Sequence, residues 1–223
     1  MIYVVSATRY TKAEFWDRCA LGLSLQRLEH DDRWEPRIAF ENRRGLPEVF
    51  NVQIAACKSE DILIFIHDDV WLDDSFFFDR VVDGLRHYDV IGVAGNRRRV
   101  DNQPGWGFVD TAYTWDNPNN FSGLIAHGEK PFGKLSVFGP VPADCELLDG
   151  VFLAANAADL KEHEIFFDPR FDFHFYDIDF CRTARMHGLL LGTWPVCLTH
   201  QSAGVFGEAW QQKYLAYIDK WKS

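Results

Sequence analysis

A run of five apolar residues, Ile62–Ile66, leads directly into His67, Asp68 and Asp69. An apolar run without polar alternation predicts a strand that is covered on both faces of its sheet. The three polar residues then lie at the carboxyl end of that strand, where open α/β sheets bind ligands. Because adjacent carboxylates repel each other, we expect a compensating cation, and a divalent metal that holds phosphate oxygens is the first candidate. The residues alone leave open a solvated acidic turn.

Segments of strand and helix pattern alternate through the first part of the chain. Runs rich in β-formers at residues 2–6 and 37–42 precede the run at 62–66, and helical apolar spacing covers residues 12–29 and 46–57. The succession strand, helix, strand, helix, strand is typical of a parallel sheet with crossover helices. The pattern therefore predicts an α/β fold.

The second part of the chain is more mixed. Helices are predicted at residues 74–87, 157–163, 176–187 and 208–221, and strands at 90–95, 147–154 and 189–198. Residues 97–140 are rich in Gly, Asn, Pro and aromatic residues, which predicts loops and antiparallel strands. No repeat, low-complexity tract or linker divides the chain, so we expect a single domain over residues 1–223.

Composition narrows the classes of partner. The formal net charge is −10 and the isoelectric point is near 5.2, which excludes nucleic acid as a partner for the surface as a whole. The chain contains 19 Phe and 8 Trp, more large rings than a small core needs. Those in the loop-rich segment, such as Trp106, Phe108 and Tyr113, either pack beneath the loops or stack on sugar rings.

Cysteine usage and the lack of long apolar segments bear on location. The five cysteines are odd in number and form no CxxC pair, which favours free thiols in a reducing compartment. No segment reaches the roughly 20 apolar residues of a membrane span, and the first residues do not have a signal-peptide pattern. We expect a cytoplasmic protein, with peripheral association with a membrane left open.

Two further groups of polar residues stand at predicted element ends. Asp177 and Asp179 flank Ile178 at the start of a predicted helix, where the helix dipole favours an ionised carboxylate that serves as a base or as a cap. Thr199 and His200 follow the last predicted strand. His200 becomes a candidate ligand if its strand end lies near Asp69.

Four motifs together carry a family resemblance. They are Asn42-Arg43-Arg44-Gly45 with Asn51 and residues 65–70, Leu148-Asp149-Gly150-Val151-Phe152-Leu153, residues 176–182 with Met186-His187-Gly188, and Thr199-His200. In their order and approximate spacing, the chain from residue 2 to about residue 204 resembles the nucleotide-sugar-dependent glycosyltransferases of the GT-A fold, particularly the family 2 type. The resemblance implies a Rossmann-like α/β domain with a mostly parallel central sheet, flanking helices and a small antiparallel acceptor-side region. Residues 1–96 would be the nucleotide-sugar half, 97–204 the acceptor half and 205–223 a C-terminal helix.

The resemblance also implies a role for each matching residue. Asp69 and His200 would bind the divalent ion, Mn²⁺ or Mg²⁺, that bridges the diphosphate, and Asp177 would be the general base. The donor nucleotide, of the UDP or GDP type, would be contacted by Ser6, Thr8, Arg9, Asn42, Asn51 and Asp68. The acceptor would be contacted by Trp106, Asp149, Gly150 and Tyr176.

The activity that the resemblance implies is inverting transfer of a sugar from a nucleoside-diphosphate donor to a hydroxyl group of a glycan, lipid-linked glycan or protein, as in polysaccharide biosynthesis. This chemistry needs a cation for the leaving diphosphate and a base for the weakly acidic hydroxyl. Two positions depart from the family pattern. His67 stands where the metal motif has its first Asp, and Tyr176 stands where a Glu precedes the base.

These departures keep two other functions under consideration. One is a non-catalytic nucleotide- or carbohydrate-binding module derived from such an enzyme. The other is a sugar nucleotidyltransferase, which shares an α/β nucleotide-binding layout. Residues 2–9 contain no glycine, whereas a nucleotidyltransferase normally binds its triphosphate with a Gly-rich loop near the N-terminus, so this second function is disfavoured.

Overall fold

A computed structural model describes residues 1–202, 204 and 207–222 of the chain. The strands are β1 (Ile2–Ala7), β2 (Trp34–Ala39), β3 (Ile62–Ile66), β4 (Val70–Leu72), β5 (Val90–Gly92), β6 (Ala94–Asn96), β7 (Phe121–His127), β8 (Lys134–Gly139), β9 (Ala143–Asp144), β10 (Leu147–Leu148), β11 (Phe152–Asn156), β12 (Leu191–Thr193) and β13 (Leu198–His200). The helices are α1 (Lys12–Arg18), α2 (Ala20–Gln26), α3 (Leu46–Ala56), α4 (Phe77–Gly84), α5 (Ala157–Glu162), α6 (Tyr176–Met186) and α7 (Glu208–Lys220). Residues 205, 206 and 223 of the expected C-terminal helix lie outside the described residues.

The central sheet has seven strands in the order β2-β1-β3-β11-β5-β12-β9. Strands β1, β2, β3, β5 and β12 run in one direction, and only β11 and β9 among these seven run in the other. The expectation of an α/β fold with a mostly parallel central sheet is confirmed. The reversed strand β11 lies between β3 and β5. Because β11 is antiparallel to β3, the residues just before it, 149–151, lie at the carboxyl end of β3.

The second sheet is smaller and mostly antiparallel, in the order β10-β6-β7-β13-β4, with β8 paired to β7. Two predicted strands, at residues 90–95 and 189–198, are each divided between the two sheets. The first crosses at Val93, whose carbonyl accepts from the N–H of Leu124 in β7. The second ends at Thr193 because Pro195 has no N–H to donate, and the chain resumes as β13 in the other sheet. The strand predicted at 147–154 is likewise divided into β10 and β11.

The helix predicted at residues 12–29 is wrong as a single element. Cys19 has an extended backbone (φ −76°, ψ 136°) that separates α1 from α2. Both the thiol of Cys19 and the N–H of Leu21 donate to the carbonyl of Asp68, at 2.9 and 3.1 Å. At the break, these two groups bond to the chain just after β3, while the N–H of Cys19 keeps its helical bond to the carbonyl of Phe15. The helix predicted at 74–87 is shorter, as α4, because Asp74 accepts from the N–H of Phe76 in a turn.

Four other predicted helices are confirmed to within one residue at each end, as α3, α5, α6 and α7. Two hydrophobic clusters cover the faces of the central sheet. Leu63 and Phe65 of β3 belong to one cluster, and Ile64 and Ile66 belong to the other, all of them buried. The prediction that this strand is covered on both faces is therefore confirmed, and its rigid burial fixes the residues that follow it.

The structure bears on the expected free thiols and on candidate membrane spans. All five cysteines are free, four of them are buried and Cys197 is exposed. Among the residues that the structure describes, no helix has the length and apolar character needed to cross a bilayer.

Candidate functional site

Two strand ends bring His67, Asp69 and His200 together. His67 and Asp69 follow β3, and His200 ends β13, which is held beside them because the N–H of Gln201 donates to the carbonyl of Asp69 at 3.0 Å. The Nε2 atom of His200 lies 3.3 Å from Oδ1 of Asp69, and Nδ1 of His67 lies 4.0 Å from the same oxygen. One potential ligand atom from each residue lies within 4.8 Å of the others. His200 thus ends a strand close to Asp69, as a candidate metal ligand must.

The electrostatics of the site favour an ionised Asp69 and a protonated His200 beside a neutral His67. Burial opposes ionisation of Asp69, but the hydrogen bond and positive charge of His200 hold the pKa of this carboxyl well below its usual range. Burial would lower the pKa of His200, and the contact with Asp69 raises it above its usual value instead. Burial lowers the pKa of His67 despite the nearby charge of Asp69. Two imidazoles and a carboxylate at this spacing are a donor set for a divalent transition metal.

A chain of hydrogen bonds links this group to the start of α6. The hydroxyl of Tyr176 lies 2.9 Å from Nε2 of His67 and donates to the carbonyl of Gly150 at 2.7 Å. Gly150 is required by close approach, since a Cβ at this position would lie 2.5 Å from the hydroxyl oxygen of Tyr176 and 2.7 Å from Cβ of Asp177. The first turn of α6 therefore packs directly on the turn that precedes β11.

Asp177 is the acidic group that faces this turn. Its Oδ2 accepts from the N–H of Gly150 at 3.1 Å. Burial, and then the charge of Asp149, raise the pKa of Asp177 to about 7, against the lowering effect of nearby backbone N–H groups. A carboxyl with a pKa near neutrality can both hold and release a proton at physiological pH, which is what general-base catalysis needs.

The four residues expected to contact an acceptor are neighbours. Asp149 accepts from the indole N–H of Trp106 at 2.6 Å and from the N–H of Val151 at 2.8 Å. Its charge acts on His67, His200 and Asp177, so it lies within electrostatic reach of both the imidazoles and the carboxyl. Gly150 and Tyr176 complete the cluster. Their contact with an acceptor stays a prediction.

Four of the residues expected to contact the donor also come together, at the carboxyl ends of β1, β2 and β3. Burial raises the pKa of the Asp68 carboxyl against the lowering effect of a hydrogen bond with the Thr8 hydroxyl. The N–H of Asn42 donates to the carbonyl of Thr8 at 2.8 Å. The guanidinium of Arg9 donates to the carbonyl of Asn42 at 2.7 Å. This places one guanidinium, one amide, one hydroxyl and one carboxyl near the three metal-ligand candidates.

The other two residues expected to contact the nucleotide donor, Ser6 and Asn51, differ in their hydrogen bonding. Ser6 is fully buried in β1, and its Oγ has no hydrogen-bond partner among the described residues. Asn51 lies on α3, and its amide bonds both backbone groups of Phe167, at 2.7 and 2.9 Å. The side chain of Asn51 thus fixes the chain near residue 167. Its contact with a donor stays a prediction.

Comparison with known proteins adds information on the fold. No protein-family model and no curated protein sequence matches the chain. A mannosyltransferase from Pyrobaculum calidifontis in complex with GDP-Man and Mn²⁺ matches with a TM-score of 0.56 at 12% identity, over 100% of this chain and 65% of its own. GalNAc-T7 with UDP, GalNAc and Mn²⁺ matches with 0.60 at 10% identity, over 99% and 48%. TarS 1-349 of S. aureus in complex with UDP matches with 0.51 at 13%, over 97% and 70%.

The chain has the GT-A fold. At these identities the likeness concerns the fold alone. The chain spans 65% of the length of the mannosyltransferase and about half of that of GalNAc-T7.

Two residues near the candidate site of this GT-A fold were not predicted. The ring centroid of His127, at the end of β7, lies 6.3 Å from that of His200. The hydroxyl of Ser202 lies 3.2 Å from Nε2 of His200. His127 reaches the site because β7 pairs in parallel with β13, in the register His200↔His127. The sequence around His127 contains no motif that indicates this pairing.

Asp179 has a structural contact that distinguishes it from Asp177. It is fully buried and accepts from Nζ of Lys220 and from the indole N–H of Trp221, both at 2.8 Å. Asp179 therefore holds the end of α7 against α6. Neither carboxylate is the N-cap of α6, because that position is Phe175 in a left-handed conformation (φ 68°) without a side-chain cap.

Proposed function

We propose that this chain is a metal-dependent glycosyltransferase, which moves a sugar from a nucleoside-diphosphate donor of the UDP or GDP type to a hydroxyl group of an acceptor. The observation that carries the proposal is the pairing of the His67–Asp69–His200 group with the Asp177 carboxyl, whose pKa is about 7, across the turn at Gly150. The GT-A fold supports it, as do related structures solved with GDP-Man, UDP and Mn²⁺.

The donor set fits a divalent metal. Asp69 and His200, with His67, would hold Mn²⁺ or Mg²⁺, since a carboxylate is a ligand of both ions and imidazole is a ligand of transition metals. The bound ion would supply positive charge for the diphosphate that leaves. Thr8, Arg9, Asn42 and Asp68 would contact the nucleotide and would direct its diphosphate toward the three ligands, and their mutual contacts near Asp69 support this. Ser6 and Asn51 are proposed to support this side of the site.

Asp177 would act on the acceptor. As the acceptor oxygen bonds to the anomeric carbon, its proton passes to the Asp177 carboxylate and the bond to the diphosphate oxygen breaks. A single in-line displacement of this kind inverts the configuration at the anomeric carbon. Trp106, Asp149 and Tyr176 would shape the acceptor side, while the N–H of Gly150 holds the base. The acceptor would be a glycan, a lipid-linked glycan or a protein, and a lipid-linked acceptor would bring peripheral association with a membrane.

Donor binding tests the first half of the proposal. Thermal-shift titrations with UDP, GDP and CMP, each with and without Mn²⁺, should give metal-dependent stabilisation by one diphosphate. Hydrolysis of the corresponding nucleotide sugars then separates an enzyme from a binding module. Metal-dependent binding without turnover of any donor or acceptor would favour the module.

The base is tested by Asp177→Asn. This variant should lose nearly all transfer activity and keep its affinity for the nucleotide. Asp159→Asn is a matched control, because Asp159 is also a carboxyl whose pKa is raised by burial, but it lies on α5 and bonds Asn156. Near-normal turnover in Asp177→Asn would remove Asp177 from the role of base.

A further inference from the structure

The two positions that depart from the family pattern, one in the metal motif and one beside the base, contact each other. His67 stands in place of the first Asp, Tyr176 stands in place of the Glu, and Nε2 of His67 lies 2.9 Å from the hydroxyl oxygen of Tyr176. Tyr176 is only 3% exposed, so its hydroxyl faces the interior. A direct contact between both altered residues indicates that they act as a pair.

The hydroxyl of Tyr176 has one proton, and its position is determined by its neighbours. The carbonyl of Gly150, 2.7 Å away, can only accept, so the hydroxyl proton points to it. The contact with His67 then requires that Nε2 of His67 carries a proton and donates to the phenolic oxygen. The phenol therefore selects the Nε2–H tautomer of the imidazole.

The other ring nitrogen of His67 faces the candidate ligands. Nδ1 lies 4.0 Å from Oδ1 of Asp69, which is beyond hydrogen-bond distance, so no N–H···O bond forms there. Nδ1 and the carboxylate oxygen are thus two acceptors that face each other. Nε2 of His200 lies 3.3 Å from the same oxygen, which makes Nδ1 of His67 the third corner of the group.

We infer that Tyr176 is a positioning residue that fixes the tautomer of His67 and so makes Nδ1 of His67 a metal ligand, giving a set of two nitrogens and one oxygen that prefers Mn²⁺ to Mg²⁺. This inference rests on the proposed function for the presence of a metal at this site. Imidazole suits transition metals, whereas Mg²⁺ favours oxygen ligands. Residues that hydrogen-bond a metal-ligating histidine keep its ring in the required orientation, and their loss weakens metal binding about 10- to 100-fold.

Metal binding without nucleotide tests this inference. Free Mn²⁺ is titrated by electron paramagnetic resonance with the wild type, Tyr176→Phe and Tyr217→Phe, and competition with Mg²⁺ gives the preference. We expect Tyr176→Phe to weaken Mn²⁺ binding about 10- to 100-fold. Tyr217→Phe is the matched control, since Tyr217 is equally buried and its hydroxyl bonds Arg182; it should bind as the wild type does. Equal affinity in Tyr176→Phe and the wild type would overturn the inference.

The tautomer is measured directly on the unaltered protein. Two-dimensional ¹H–¹⁵N spectra of histidine side chains in the metal-free wild type should show a proton on Nε2 of His67 and a bare Nδ1, with His67→Asp identifying the signal. His67→Asp should also lower the ratio of Mn²⁺ to Mg²⁺ affinity. A proton on Nδ1, or an unchanged ratio, would refute the assignment.

These outcomes separate the inference from the proposed function. A wild type that binds no Mn²⁺ refutes both the inference and the metal site. Mn²⁺ binding that Tyr176→Phe leaves unaltered refutes the inference alone. Weakened binding in that variant, together with absence of any sugar transfer by the wild type, supports the inference and refutes the enzyme.

Discussion

Asp177→Asn should alter the pH dependence of folding stability as well as activity. The pKa of Asp177 is about 7 because burial and the charge of Asp149 disfavour the ionised carboxyl. A carboxyl with a raised pKa binds its proton more tightly in the folded protein than in the unfolded chain. The wild type therefore loses stability as the pH rises from the ordinary range of aspartate toward 7. Asn does not titrate, and its side-chain oxygen can still accept from the N–H of Gly150.

The size of the effect follows from the shift. The pKa rises from 3.8 to about 7, and each unit corresponds to about 1.4 kcal/mol, so full linkage would reach about 4 kcal/mol. The Asp177 side chain is half-buried, and solvent screening reduces this value. Relative to the wild type, we expect the free energy of unfolding of Asp177→Asn to increase by about 1–3 kcal/mol between about pH 5 and about pH 8.

Urea unfolding followed by tryptophan fluorescence at both pH values measures this change. Asp110→Asn is the matched control. The backbone N–H of Thr114, and then its side chain, lower the pKa of Asp110 by hydrogen bonding, so its carboxyl is ionised in both the folded and unfolded states over this range. The difference between Asp110→Asn and the wild type should then be the same at both pH values. If the difference for Asp177→Asn is also independent of pH, the carboxyl has no raised pKa and the reasoning is refuted.

Three further predictions concern neighbouring groups. With Asp177 as the base, kcat/KM should rise about tenfold per pH unit below about pH 7 and level off above it; a flat profile across this range would contradict the assignment. Gly150→Ala should lower transfer activity sharply with a smaller loss of stability, because its Cβ would meet the hydroxyl of Tyr176 at 2.5 Å, and unchanged kinetics would show that this contact is not needed. Asn51→Ala should destabilise the fold by about 1–3 kcal/mol in urea unfolding, since both backbone groups of Phe167 lose their partner; unaltered nucleotide affinity in this variant would refute a donor contact by Asn51.

The sequence predicted the elements whose pattern is local. The buried run of β3 and four of the helices depend on apolar spacing and turn residues within the element, so they are visible without the fold. The break at Pro195 follows from a local signal, since proline has no N–H to donate, and it was predicted. The breaks at Cys19 and Val93 were not predicted. Both depend on partners distant in sequence, namely the carbonyl of Asp68 for Cys19 and β7 for Val93. Local propensity contains no information on such partners.

For the candidate site too, the sequence predicted local features but not contacts between residues that are distant in sequence. Asp69, His200 and Asp177 were identified because each follows a strand or begins a helix, and such positions point toward a ligand-binding edge. The contact between His67 and Tyr176, 109 residues apart, was not predicted, since no local pattern relates two positions so distant in sequence. The long-range packing of α6 on the turn at Gly150 is what makes the pair visible.

One short turn, residues 149–151, connects the parts of the site. The N–H of His67 donates to the carbonyl of Val151 at 3.2 Å, the carbonyl of Gly150 accepts from Tyr176, and the N–H of Gly150 donates to Asp177. The candidate ligand His67 and the candidate base Asp177 are therefore both bonded to the same three-residue turn. Because a packed turn of this kind moves as a unit, a displacement of Gly150 shifts both groups together. The absence of a side chain at residue 150 is what allows Tyr176 and Asp177, at the start of α6, to pack directly on this turn.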